Sequence, residues 1–165
     1  MKFRTAAAAV LALTLLTSCG TTAGSTKDTS LRIATEDQIG NELKQVSAKV
    51  QEAFAVKGRT GQSEALNFSD CEDKDADKGA RDAIHFWQID DLAPADLDPA
   101  VSRLYKYFEV NGWIGLGQER TADKADLKVW AKNPEKTVAV FAQSFHPMNR
   151  IIVQVSSSCF KIPTG

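Results

Sequence analysis

Thr137-Val-Ala-Val-Phe-Ala-Gln-Ser-Phe145 and Ile151-Ile-Val-Gln-Val-Ser156, separated by His146-Pro-Met-Asn149, decide the fold. The first run is β-branched and aromatic, as strands require, and the tetrapeptide after it reads as a turn. In the second run Ile151, Val153 and Val155 alternate with Ile152, Gln154 and Ser156. Upstream, Leu127, Val129 and Ala131 alternate with Lys128, Trp130 and Lys132, and Asn133-Pro-Glu-Lys136 supplies another turn. Period two places each set on one face of a sheet. Three strands joined by such short turns predict an antiparallel meander.

Working outward, Ala83-Ile-His-Phe-Trp-Gln-Ile89 is a further aromatic and β-branched strand, and Leu66 and Phe68 alternate before Cys71. Trp113 to Leu116 reads as a short strand. Two helices interrupt the series. Thr35 with Gln38 forms a capping box, and Ile39, Leu43, Val46, Val50 and Phe54 then recur at helical spacing, with Gly58 as the stop. Asp98-Pro99 predicts the start of the second helix, whose apolar face is Val101, Leu104, Tyr105 and Phe108 and whose end is Gly112. The order predicts an α+β fold: a two-layer sandwich with a mostly antiparallel sheet of five or six strands and both helices on one face.

The N-terminus carries a different message. Lys2 and Arg4 precede an apolar run from Ala6 to Leu16, the layout of a secretory signal peptide. The run is too short to span a bilayer, which takes about 20 apolar residues. Leu16-Thr-Ser-Cys19 resembles the bacterial lipobox, in which a diacylglycerol is attached to the cysteine before cleavage. The expected organisation is a lipoprotein signal peptide over 1–18, a lipidated Cys19 with a polar tether over 19–34, and one α+β domain over 35–163. About 15 tether residues of this small, polar composition reach roughly 20 Å as a coil.

Removal of residues 1–18 from the 165 leaves 147, enough for one ordinary apolar core. Without Lys2 and Arg4 the 20 basic residues fall to 18 against 21 acidic, a net charge of −3. No basic stripe with interleaved aromatics appears, so nucleic acid is not an expected partner. With Cys19 given to lipid, Cys71 and Cys159 remain as a pair in a chain sent to an oxidising compartment, and a disulfide between them is expected. Two buried free thiols are one alternative, and a catalytic cysteine, disfavoured because oxidation outside the cytoplasm would consume it, is the other.

Chemistry-bearing patterns are few. Asp73, Asp75 and Asp77 suggest a calcium loop, but Lys78 stands at position 6 where glycine is needed and Ile84 at position 12 where glutamate is needed. The stretch 70–77 reads as a solvated acidic loop, with weak cation capture as the alternative. Two distant histidines, His85 and His146, make no zinc site, and no Gly-x-Ser-x-Gly elbow is present. No metal, cofactor or catalytic set is expected. Gly112-Trp-Ile-Gly-Leu-Gly117 follows a helix and opens a strand, the reverse of a phosphate loop. Trp130 lies on the face opposite Leu127, Val129 and Ala131, which makes it the candidate ligand-facing residue; the alternative is a ring that covers its own sheet.

The alanine-rich signal, the lipobox, the polar tether, Gly112-Trp113 and the terminal Ser157-Ser158-Cys159 together resemble small uncharacterised lipoproteins of actinobacteria. That resemblance implies anchoring at Cys19 and a Cys71–Cys159 bridge, and no active site. The expectation is a monomeric, non-enzymatic domain on the extracytoplasmic face of the cell membrane. It would be held by lipid and would bind an envelope protein or small ligand. A small cell-envelope hydrolase acting through His85 or His146 is the alternative.

Overall fold

The structure, a computed structural model, describes residues 31–60, 65–71 and 79–164. The segments read as a signal peptide and, for the most part, as a tether, with Cys19 and residues 72–77 of the acidic stretch, lie outside the described residues. The elements run β1 (Arg32–Ile33), α1 (Glu36–Phe54), β2 (Arg59–Thr60), β3 (Ala65–Asp70), β4 (Ala80–Asp90), α2 (Pro94–Val110), β5 (Ile114–Arg120), β6 (Leu127–Lys132), β7 (Val138–Phe145), β8 (Arg150–Ser157) and β9 (Phe160–Lys161).

One mostly antiparallel sheet of nine strands holds the molecule together, in the order β1-β9-β4-β8-β7-β6-β5, with β2 and β3 pairing along β4. The α+β expectation is met, and the count exceeds the five or six strands expected. The excess lies in β1, β2 and β9, of two residues each. Pairs that short bury too little to leave a periodic pattern in a sequence. β1 falls within the stretch read as tether: it pairs in parallel with β9, and Ala34 just after it is buried.

The meander is present as read. Asn133 fixes the β6–β7 turn: its Oδ1 accepts from the backbone N–H of Thr137 at 2.8 Å and of Val138 at 2.9 Å. The β7–β8 turn is one 3₁₀ turn, His146–Met148, closed by Asn149 in the left-handed region, which asparagine tolerates. Val140, Ala142, Val153, Val155, Val129 and Ala131 form the inner face and are buried.

Both helices pack on that inner face. α1 starts as its sequence dictates, with Thr35 and Gln38 bonded reciprocally. Ile39, Leu43, Val50 and Phe54 are buried, and each such side chain contributes about 1.5–3 kcal/mol. The expected stop at Gly58 is corrected: α1 ends at Phe54, with Ala55 in the left-handed region. Gly58 instead lies against β4, where a Cβ would overlap Ile89 and Leu92. The start of α2 is also corrected. Pro94, not Pro99, occupies the first turn, and Pro99 lies inside the helix. Leu97, Val101, Leu104 and Phe108 are buried beneath it.

Candidate functional site

Because α1 and α2 share one side of the sheet, the other side keeps its strands uncovered by any described helix. Register sets what that open face displays. Phe86 of β4 pairs with Gln154 of β8, which pairs with Phe141 of β7, which pairs with Trp130 of β6, which pairs with Gly117 of β5. One row of the open face is therefore three aromatics, an amide and a glycine running across five strands. Phe86 and Phe141 are half-buried and Trp130 is 37 % exposed. In the neighbouring rows Ile84 and Ile152 carry the apolar surface on, while Lys128 and Lys132 flank Trp130 along its own strand.

Trp130 is partly exposed and also covers its own sheet, the alternative given for it. It faces away from the core, and its ring lies across Gly117, where a Cβ would overlap Cζ2 and Cε2. Glycine on one strand and tryptophan on the next make a single flat surface. The other two tryptophans lie elsewhere. Trp87 is buried against Phe54, and Trp113 packs on Phe108 with ring centroids 4.7 Å apart.

The histidines sit in two separate polar arrangements. His85 is buried on the inner face, its Nδ1 2.6 Å from Ser47 Oγ on α1. His146 opens the turn after β7, where its backbone N–H and Nδ1 both meet Asp126 Oδ1, at 3.0 and 3.1 Å. Nε2 faces Asp98 Oδ1 at 3.7 Å. Asp98 also accepts from Arg120 Nη2 at 2.7 Å and from Ser144 Oγ at 2.8 Å. Burial pushes the Asp98 carboxyl up, but the hydrogen bonds from Arg120 and Ser144 and the charge of Arg120 outweigh it, so the group titrates below the ordinary carboxylate range.

This cluster gathers a hydroxyl, an imidazole and two carboxylates, the inventory of a hydrolase, yet its connections differ. A nucleophilic serine hands its proton to an imidazole and meets substrate. Ser144 is fully buried, hands its proton to Asp98 and accepts from the backbone N–H of Leu127 at 2.8 Å. The group is a joint between α2, β5, β6 and β7. Sequence reading named His146, gave Asp98 only a helix-start role, found no context for Ser144 and did not single out Arg120 or Asp126, because four residues spread over 46 positions show no common spacing.

Cys71 and Cys159 form a disulfide with Cα atoms 5.8 Å apart. A groove of about 110 Å³ between α1 and β3, lined by Gly40, Lys44, Leu66 and Phe68, is well below the roughly 300–1,000 Å³ of ligand pockets. Among the described residues no His, Cys, Asp and Glu side chains group as a metal site, and no helix is long and apolar enough to cross a membrane. Compared with known protein families, characterised proteins and solved structures, the chain matches none.

Proposed function

We propose that the chain is a lipid-anchored protein of the bacterial cell envelope whose extracytoplasmic domain binds and does not catalyse. The observation that carries the binding role is the open sheet face with its row Phe86, Gln154, Phe141 and Trp130. Soluble proteins rarely leave an extended apolar patch uncovered unless something docks there. Two observations support the location. Leu16-Thr-Ser-Cys19 closes a signal-like segment, and the disulfide fits an oxidising compartment. The alternative of a hydrolase acting through His85 or His146 gains little from the geometry, since Ser47 and Ser144 are both buried.

The test uses the chain expressed in a bacterial host with lipoprotein processing. The wild type is expected in the detergent phase of a detergent partition and Cys19→Ala in the aqueous phase. Photo-cross-linking from intact membranes should recover companions, lipid or protein, that are lost with Trp130→Ser/Phe141→Ser and retained with His146→Ala. A wild-type chain that keeps residues 1–18 defeats the location. Companions retained by the double serine variant defeat the binding face.

A further inference from the structure

We infer that the open sheet face is a membrane-docking surface: it lies flat on the anionic phospholipid headgroups of the bilayer to which the Cys19 lipid would hold the chain. The inference deepens the proposed anchoring and rests on it for its effective concentration. Three observations favour a bilayer over other occupants.

The first is composition. Tryptophan and phenylalanine settle at the headgroup level, where an apolar ring with a polar rim is stable, and lysines beside them reach phosphate. Trp130 stands between Lys128 and Lys132 on the open face, with Phe141 beside it on the next strand. Lys128 has Glu119 at 3.7 Å, so Lys132 is the lysine flanking Trp130 on β6 that pairs with no acidic residue, its register partners being Ile114 and Ala139.

The second is size. Strands lie about 4.8 Å apart and same-face residues about 6.8 Å apart along a strand, so five strands and three rows cover roughly 490 Å². A stable dimer needs about 800 Å² from each partner. The face is too small to hold a second copy alone. It is adequate for a surface that acts only after a tether has brought it close.

The third is where the chain enters. Described structure begins at Leu31, 12 residues after Cys19, a reach of at most about 40 Å. Arg32 bonds Glu42 on the helix side of the sheet. Alternation then turns Ile33, 70 % exposed, toward the open side. The segment that leads back to Cys19 therefore joins the domain beside a large apolar side chain on the same side of the sheet as the docking rows, although on β1 and outside them. A tether of this length gives an effective concentration near the millimolar range, so a weak intrinsic affinity suffices.

The experiment reconstitutes the processed full chain in phosphatidylcholine vesicles with or without phosphatidylglycerol, in which a fraction of the lipid carries bromine on its acyl chains near the headgroup. Trp130 is the exposed indole, so quenching of tryptophan emission reads its depth. Docking predicts clear quenching that vanishes in Trp130→Phe, and that falls in Lys132→Glu only when phosphatidylglycerol is present. Far-ultraviolet circular dichroism confirms that both variants are folded. Vesicles that float with the chain yet leave its emission unquenched overturn the docking and keep the anchor. A chain that does not float overturns the anchor, and the same quenching is then read with the chain held by an N-terminal hexahistidine tag on nickel-chelating lipid. Acrylamide protection of Trp130 that rises with protein concentration without vesicles would assign the face to a second copy and overturn the proposal.

Discussion

Gly117 and Trp130 behave as one unit across the β5–β6 pair, and the unit can be broken from either side. Gly117→Val places a branched side chain where the indole lies. The ring must lift off the strand, and the overpacking costs about 1–3 kcal/mol. The expected result is a lower denaturant midpoint together with red-shifted tryptophan emission. A midpoint shift without an emission change would show that the strand moved and the ring did not. Ser47 and His85 are a second such pair. Ser47→Ala removes a 2.6 Å contact from the core at a cost of about 1–3 kcal/mol, read as a lower melting temperature. A melting temperature within a degree of the wild type would show that the contact carries no net stability. The sequence allows part of this to be read. Trp130 is visibly out of phase with Leu127, Val129 and Ala131, and Gly115 and Gly117 visibly punctuate a strand. What joins them is invisible, because a register shift between Ile114 and Gly117 decides which glycine meets the ring. Ser47 lies on the apolar stripe of α1 as its one polar member, a signal that a partner such as His85 was needed.

At the scale of elements, α2 shows how local chemistry misleads. Asp98-Pro99 has the appearance of a cap followed by a first-turn proline, yet the helix starts at Pro94 after Ala93, which supplies no side-chain cap. Asp98 is free to reach sideways, to Arg120 and Ser144, since it is not engaged in capping. That use of the residue makes a pH prediction. The folded carboxyl titrates below its unfolded value of about 4, so its contribution to stability is fully present above about pH 4. It is lost as pH falls through the lower folded value. Asp98→Asn weakens the charge-assisted bonds to Arg120 and Ser144, and should cost about 1–3 kcal/mol near neutral pH. The gap between variant and wild type should close as unfolding is followed down from pH 5 toward pH 2. A gap constant over that range would place the Asp98 contribution in shape and not in charge. By contrast α1 and the β6–β7–β8 meander are legible almost to the residue, because capping box, period and turn agree there.

For the whole molecule, the disulfide and the sheet perform related tasks. β4 is the hub: it pairs with β2 and β3 along one edge and with β8 and β9 along the other. Those partners come from both ends of the described chain, so closing the sheet means bringing together segments far apart in sequence. Cysteine counting found the clip but could not find the hub, since nothing in Ala83 to Ile89 says how many neighbours the strand has. Cys71 and Cys159 are 88 positions apart, and a loop of that length constrains the unfolded chain by about 4–5 kcal/mol on the entropic view. Against a typical net stability of about 5–15 kcal/mol, that is about a quarter or more of the total. Cys71→Ser/Cys159→Ser should therefore lower the unfolding free energy by several kcal/mol in chemical denaturation. The effect should be on the unfolded ensemble, so the folded variant at low temperature should keep the wild-type emission of Trp130, whose ring rests on Gly117 at the far end of the strand order from β9. A loss below about 1 kcal/mol would mean that β3 holds to β4 without the clip. A shifted Trp130 emission in the folded variant would mean that the bridge also shapes the open face, and that oxidation outside the cytoplasm is needed before the surface can bind at all.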